Sequence, residues 1–148
     1  MKTIPQNKLN EDLFIVLKTI FHYERIFIEQ FGLKFEEIYI LQHLRRNPVV
    51  RVTDISRELQ LPMFTISRLV YRLTEGGYVS KEQDSEDRRN YFLHLSEKGE
   101  KTLRDIENST YNRISANAAS MTENQIEELL NLSSQLHVVL GVTKEVIH

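Results

Sequence analysis

The fold of this chain is decided by one stretch, "VTDISRELQLPMFTISRLVYRLTEGG", which spans residues 52–77. Thr53 can cap a short helix over residues 54–59, because a threonine hydroxyl accepts hydrogen bonds from the free N–H groups of a first turn. Pro62 then starts a second helix over residues 63–75, since proline fits the first helical position, and two glycines end it. Two short helices joined by a tight turn predict a helix-turn-helix.

The second of these helices has a surface suited to the major groove of DNA. Its apolar side, with Ile66 and Leu69, is expected to pack on Ile55 and Leu59 of the first helix. It holds no acidic residue before its last position, so its arginines and hydroxyls are free to reach guanine edges and phosphates. The predicted DNA-facing residues of the motif are Thr53, Thr65, Ser67, Arg68, Tyr71 and Arg72. The alternative is an ordinary surface helix with two solvated arginines.

A short hairpin follows the second helix directly. Residues 78–83 and 90–95 alternate apolar and polar side chains like two strands. The polar tip between them carries Asp87, Arg88 and Arg89, where an arginine could enter the next minor groove. Asp87 could hold Arg89 in position through a bidentate pair. The alternative is a solvated turn whose charges cancel. The remaining acids of the tip are interpreted as solvated groups that limit non-specific binding: Asp84 and Glu86.

Long helices flank this unit on both sides. Helices are predicted over residues 9–31, 35–46 and 97–119, the last capped by Ser96, and a final helix begins at a capping box led by Thr122. The helix over 9–31 has apolar residues on two sides, and a small domain can cover only one of them. A second copy of the chain is a natural cover for the other.

The predicted fold is therefore mainly α with a small β-hairpin wing, a winged helix-turn-helix of about six helices and two to three short strands. The 148 residues are interpreted as one chain without linkers. Residues 33–100 would form the DNA-binding unit. Residues 1–32 and 101–148 would form the dimerisation helices.

Composition narrows the function further. The net charge is −2, so any DNA-binding surface must be local, and the lack of cysteine excludes thiol-based redox sensing and thiolate metal sites. The sequence has no glycine-rich phosphate loop, no nucleophile with a placed base and no metal triad, which argues against an enzyme and against a cofactor. It has no leader or membrane span, so a cytoplasmic protein is expected.

The hairpin also carries the most specific motif in the chain. It consists of Asp87-Arg88-Arg89, five further residues, and then Leu95-Ser96-Glu97-Lys98-Gly99. Together with "SRLVYRLTEGGYVSK" (67–81), this pattern resembles the MarR family of bacterial winged-helix transcription regulators, in which a threonine stands at the position of Ser96. The resemblance covers essentially the whole chain.

The resemblance implies roles for particular residues. Arg89 would be the minor-groove arginine and Asp87 its orienting partner, and Arg68 would face the major groove with Thr65 and Ser67. The chain departs from the family at Pro62-Met63-Phe64, where small polar residues are common. Met63 and Phe64 could contact thymine methyl groups, pack into the body or lie exposed.

The resemblance further implies a homodimer that binds a palindromic operator, usually as a repressor released by a small, often anionic aromatic effector. Candidate residues for an effector cleft come from the first two helices and the fifth: His22, Tyr23, Phe27, Tyr39, His43, Tyr111 and Arg113. Core packing explains each of these residues equally well.

Two other functions stay open at this point. Some relatives sense zinc, for which the possible ligands are His22, Glu24, His43 and His137, although no His-x-x-x-His pair is present. A winged helix can also serve mainly for protein contacts, which the net charge of −2 mildly favours. DNA affinity that falls steeply with added salt would separate a DNA-binding regulator from a protein-binding module.

Overall fold

A computed structural model of the chain describes residues 3–142, and within that range it has six α-helices and a three-stranded sheet. The helices are α1 (Gln6–Tyr23), α2 (Phe35–Arg46), α3 (Val52–Leu59), α4 (Met63–Glu75), α5 (Glu97–Ala118) and α6 (Glu123–Val139). The strands are β1 (Val50–Arg51), β2 (Val79–Gln83) and β3 (Tyr91–Leu95). The predicted fold class, a helical protein with a small β wing, is confirmed. The outer ends of the two predicted dimerisation segments, residues 1–2 and 143–148, lie outside the described residues.

The first predicted helix is not continuous. After α1 the chain forms a π-helical turn at Glu24–Ile28 and a 3₁₀ turn at Glu29–Phe31, and it stops at Gly32, which is left-handed with φ 77°. A π turn contains an extra residue, so it changes the direction in which the following side chains point. Ile28 thereby reaches the core, where it is almost fully buried.

The sheet has the strand order β1-β3-β2 and is antiparallel throughout. In the wing hairpin Val79 pairs with Leu95 and Gln83 pairs with Tyr91. Val50 of β1 pairs with Leu93 on the other edge of β3. The sequence prediction allows a third short strand but does not locate β1, because two residues are too few to show an alternating pattern.

The hydrophobic core lies among α2 to α5 and the sheet. The side chains that hold it together are almost fully buried and aliphatic: Ile40, Leu41, Ile55, Ile66, Val70, Leu73, Leu93 and Leu103. Ile55 of α3 and Ile66 of α4 belong to this core, with Leu59 and Leu69 partly buried against it. The predicted apolar contact surface of the helix-turn-helix is therefore confirmed.

The turn that orients α4 is held by local hydrogen bonds. The Ser56 hydroxyl donates to the Leu61 carbonyl at 2.7 Å, and the Leu61 N–H donates to the Ser56 carbonyl at 3.2 Å. Gln60 takes the left-handed conformation, with φ 51°. Pro62 then precedes the first helical residue, so α4 leaves the turn at a fixed angle to α3.

Three predicted helix caps can be compared with the structure. The cap at Thr53 is wrong, because α3 begins at Val52, two residues before the predicted start, and the Asp54 carboxylate accepts the Arg51 N–H at 2.8 Å. An aspartate at the third helical position satisfies a free N–H from inside the helix. The caps of α5 by Ser96 and of α6 by Thr122 are confirmed.

Gly99 marks the closest approach between the wing and α5. A Cβ atom at this position would overlap the Tyr78 carbonyl oxygen and would lie 2.7 Å from Leu95 Cδ1. We therefore expect Gly99→Ala to lower the free energy of unfolding by about 1–3 kcal/mol, the usual cost of overpacking. Urea denaturation measures this change, with Asn108→Ala, an exposed α5 position, as the matched control. Equal stability of the two variants would contradict the explanation of this glycine.

The terminal helices leave large apolar surfaces uncovered. Neither α1 nor α6 has a buried residue. Several of their large apolar side chains are more than half exposed: Phe14, Ile15, Phe21, Leu129, Leu130, Leu132, Val138 and Val139. None of the helices within residues 3–142 combines the length and the apolar character that crossing a membrane requires.

Candidate nucleic-acid interface

The outer surface of α4 is formed by its N-terminal two thirds. Phe64 is 68% exposed, Tyr71 61% and Met63 44%, and Ser67 and Arg68 are exposed beside them. Of the three alternatives for Met63 and Phe64, packing into the body does not occur. This surface therefore combines a guanidinium, a hydroxyl and apolar groups, which are the groups that read base edges in a major groove.

Two of the predicted α4 residues are oriented differently. Thr65 is half-buried. Arg72 directs its guanidinium toward α2, where Nη1 lies 3.3 Å from Oε1 of the buried Glu37. Arg72 and Arg68 are thus one helical turn apart but have different surroundings.

At the tip of the wing, Asp87 and Arg89 form a two-pronged ion pair. Arg89 Nε donates to Asp87 Oδ1 at 3.1 Å, and Nη2 donates to Oδ2 at 3.2 Å. The Arg89 backbone N–H also donates to Oδ1 at 3.1 Å. Hydrogen bonds from the Arg89 side chain and backbone lower the pKa of the Asp87 carboxyl. The Arg89 side chain is 89% exposed, so its guanidinium is held at one place and still faces solvent.

The sequence interpretation of Asp84 as a solvated acid is wrong. Asp84 is buried where the wing leaves β2, and its Oδ1 accepts the Glu86 N–H at 2.9 Å. Its Oδ2 lies 3.4 Å from Arg51 Nη2, and the Arg51 guanidinium carbon lies 4.9 Å from the centre of the Phe92 ring. Asp84 and Arg51 therefore fix the base of the wing to β1.

The other two predicted DNA contacts, Thr53 and Arg88, lie beside the α4 surface and at the wing tip, respectively. Thr53 is exposed on the first turn of α3. Arg88 is exposed at the wing tip, and its carbonyl accepts a hydrogen bond from Gln83 Nε2 at 2.8 Å. The tip thus presents two neighbouring arginines, of which one, Arg89, has its side chain held by Asp87.

A cavity of about 400 Å³ opens between α2, α5 and the end of the first helix. Tyr23, Tyr39 and Tyr111, three of the predicted effector residues, lie in its wall with aliphatic side chains. The Tyr23 hydroxyl donates to Thr110 Oγ1 at 2.8 Å. Burial, with the nearby charge of Glu24, raises the pKa of Tyr39. The wall is mostly apolar, and its polar groups are the tyrosine hydroxyls, a threonine hydroxyl, an amide and one carboxylate that is paired with Arg45.

The remaining effector candidates do not line this cavity. Arg113 stacks on Phe27 with 3.5 Å between its guanidinium carbon and the ring centre, and Phe27 packs on Tyr23. Arg113 Nε is buried without a hydrogen-bond partner among the described residues. His22 lies edge-on to Phe21, and His43 lines a separate polar depression on the α3 side.

The possible zinc ligands are not gathered into one site. Within the part of the chain that the structure describes, no three histidine, aspartate or glutamate side chains lie close enough together to hold a metal ion. The candidates His22, Glu24, His43 and His137 all fall in that part. The structure therefore offers no support for the zinc alternative.

Comparisons with known proteins agree with this architecture. Residues 33–99 match the model of a winged helix DNA-binding domain. The chain is 25% identical over 124 residues to the HTH-type transcriptional regulator MgrA of Staphylococcus aureus, and the match covers 84% of this chain and 83% of that one. It is also similar in structure to a MarR family protein from Bacillus stearothermophilus, with TM-score 0.75, 18% identity and coverage of 91% and 94%. Streptococcus pneumoniae FabT, solved in complex with DNA, gives TM-score 0.72 at 21% identity, with coverage of 91% and 96%.

The fold, the exposed surface of α4 and the arginine-bearing wing define a winged-helix DNA-binding protein that regulates transcription. The matches are to regulators and not to an enzyme family. The chain has the fold of MarR family proteins.

Proposed function

We propose that this regulator binds a palindromic operator as a homodimer, represses transcription there, and is released by a small aromatic acid. One observation carries the proposal: the exposed, acid-free surface of α4 lies in the same unit as a wing-tip arginine held by Asp87. A regulator of this kind acts on the chromosome and would therefore work in the bacterial cytoplasm.

The two DNA-reading elements have separate tasks in this proposal. Helix α4 enters the major groove, where Arg68 and Ser67 contact base edges and the exposed Phe64 and Met63 contact thymine methyl groups. The wing reaches the adjacent minor groove with Arg89, since a narrow minor groove concentrates negative potential. Arg88 and Thr53 are suited to phosphate contacts, which fix register without reading sequence.

The homodimer is supported by the uncovered faces of α1 and α6. Large apolar side chains exposed along two helices are typical of a subunit interface. Burying each large aliphatic or aromatic side chain is worth about 1.5–3 kcal/mol. Two copies joined through these helices would present two α4 helices to half-sites about one DNA turn apart.

The effector is supported by the cavity between α2 and α5. An apolar wall with tyrosine hydroxyls at a few points suits a small aromatic ring with a polar substituent. The guanidinium of Arg113 stacks on Phe27, which packs on the cavity-lining Tyr23, and so supplies positive charge near the cavity. A ligand that fits only one arrangement of the dimer would change the spacing of the two α4 helices and so weaken operator binding.

Selection from a random duplex pool, followed by footprinting on the DNA that flanks the gene, tests this function. We expect one protected palindrome, and we expect salicylate, used as the probe, to remove the protection. Ile114→Trp, which fills the cavity wall, should bind DNA and no longer respond to salicylate. Protection that salicylate leaves unchanged at millimolar concentration would refute a phenolic effector, and absence of any selected sequence would refute the operator.

Arg68 is the α4 residue best exposed to read a guanine. We expect Arg68→Ala to reduce discrimination between the selected duplex and random DNA by about 1–3 kcal/mol, the worth of one bidentate base contact. Competition binding at fixed salt gives this ratio directly. If affinity falls for both duplexes equally, Arg68 contacts phosphate and not a base.

A further inference from the structure

The ion pair between Arg72 and Glu37 joins the DNA-reading helix to the helix behind it. Glu37 is only 1% exposed, which is rare for a carboxylate unless both oxygens have partners. Its Oε2 accepts the Lys34 N–H at 2.9 Å, and its Oε1 lies 3.3 Å from Arg72 Nη1. Glu37 also stands in the first turn of α2, where the positive end of the helix favours a negative charge.

These contacts give Arg72 a different task from Arg68. We infer that Arg72 is a positioning residue, which acts through the buried Glu37 to fix how far and at what angle α4 projects from α2 toward DNA. The sequence pattern alone assigns Arg72 to the DNA-facing surface. A guanidinium drawn to a buried carboxylate on another helix is unavailable for a base in the same geometry.

The position of the pair explains why it would matter for recognition. Glu37 sits on α2, whose Ile40, Leu41 and Leu44 belong to the buried core, so it provides a rigid reference point. Arg72 lies one turn beyond Arg68 on α4. A rotation of α4 about its axis would displace Arg68 and the other exposed side chains together, and a displacement of about 1 Å is enough to disturb a bidentate hydrogen bond.

The inference rests on the proposed major-groove role of α4, and the experiment separates the two. Wild-type protein is first tested for discrimination between the selected duplex and random DNA. If it does not discriminate, the major-groove role itself fails, whatever Arg72 does. If it discriminates, Glu37→Gln, Arg72→Met and the double variant are compared with it at several salt concentrations.

We expect each single variant to lower affinity for the selected duplex by roughly 3- to 30-fold, the range reached by substitutions that do not touch the ligand. The double variant should bind the selected duplex at least as tightly as the single variant of lower affinity, because both changes break the same ion pair. The salt dependence should stay at its wild-type slope, since every phosphate remains neutralised as before. Arg72→Lys, which keeps the charge, should restore part of the affinity.

A second ion pair, which involves α2 but not α4, serves as the matched control. Arg45 of α2 makes two hydrogen bonds to Glu107 of α5, at 3.0 and 2.6 Å, and does not involve α4. Arg45→Met and Glu107→Gln should therefore leave the affinity for the selected duplex unchanged. Circular dichroism and the active fraction report folding for every variant.

Three results would overturn the inference. The first is an Arg72→Met variant whose salt slope is smaller than that of wild type by about one, together with a Glu37→Gln variant that binds as well as wild type. Arg72, which is 53% exposed, would then neutralise a phosphate. The second is unchanged binding in all variants, and the third is an equal loss of affinity in the control pair, which would indicate general destabilisation.

Discussion

Arg89→Ala is expected to reduce operator affinity by at least about 100-fold while leaving the fold and the dimer intact. A hydrogen bond to a charged group is worth about 1.5–3 kcal/mol, and a dimer would lose it at two wings. The Arg89 side chain pairs with the neighbouring Asp87 at an exposed tip and is itself 89% exposed, so its removal leaves no cavity in the core. Fluorescence anisotropy with the selected duplex measures the decrease in affinity.

The neighbouring residues provide the controls for this substitution. Arg88→Ala removes the same charge one position away, and we expect it to cost much less, because among the described residues no carboxylate pairs with the Arg88 guanidinium as Asp87 does with that of Arg89. Arg89→Lys keeps the charge without the planar fork that pairs with Asp87, so it should recover only part of the affinity. Wild-type affinity in Arg89→Ala, or equal decreases in Arg88→Ala and Arg89→Ala, would contradict the proposed contact between Arg89 and the minor groove.

The second large effect is expected at the dimer. Phe14→Asp combined with Leu132→Asp introduces charges into the uncovered faces of α1 and α6, where Leu132 is 70% exposed in the single chain. A charge buried in an apolar interface is strongly unfavourable, so we expect sedimentation to show monomers at concentrations where wild type is dimeric. Operator affinity should fall when the dimer is lost, since two linked DNA-binding units bind two half-sites far more tightly than one unit binds one.

This prediction also has an internal control. Glu128→Gln changes an exposed polar residue of α6 and should leave the association unchanged. Because neither Phe14 nor Leu132 is buried in the single chain, the double variant should keep the helical content of wild type. A stable, folded dimer of the double variant would show that these faces are not the interface.

Most of the fold could be predicted because local signals decide it. Pro62 and the paired glycines after α4 punctuate the chain, and the alternation in residues 91–95 defines β3. These signals act within a few residues. Such local signals do not locate two features of the fold. The two residues of β1 are too short for periodicity, and the π turn at Glu24–Ile28 leaves the apolar spacing of a helix almost unchanged.

The candidate site could be predicted less completely, because it depends on partners far apart in sequence. The Asp87–Arg89 pair spans two residues, and the motif suggested it. Asp84 pairs with Arg51 and Arg72 with Glu37, over separations that no local pattern reports. A buried carboxylate in a polar sequence context looks the same as a solvated one until its partner on another element is known.

The central claim is that a dimer reads DNA with α4 in two major grooves and Arg89 in the minor grooves beside them. Methylation interference on the selected duplex tests it most directly, because dimethyl sulfate modifies guanine N7 in the major groove and adenine N3 in the minor groove. We predict two clusters of N7 interference about one helical turn apart, roughly 10 base pairs, each flanked by N3 interference that disappears in Arg89→Ala. A single cluster, or N3 interference that persists without Arg89, would contradict it.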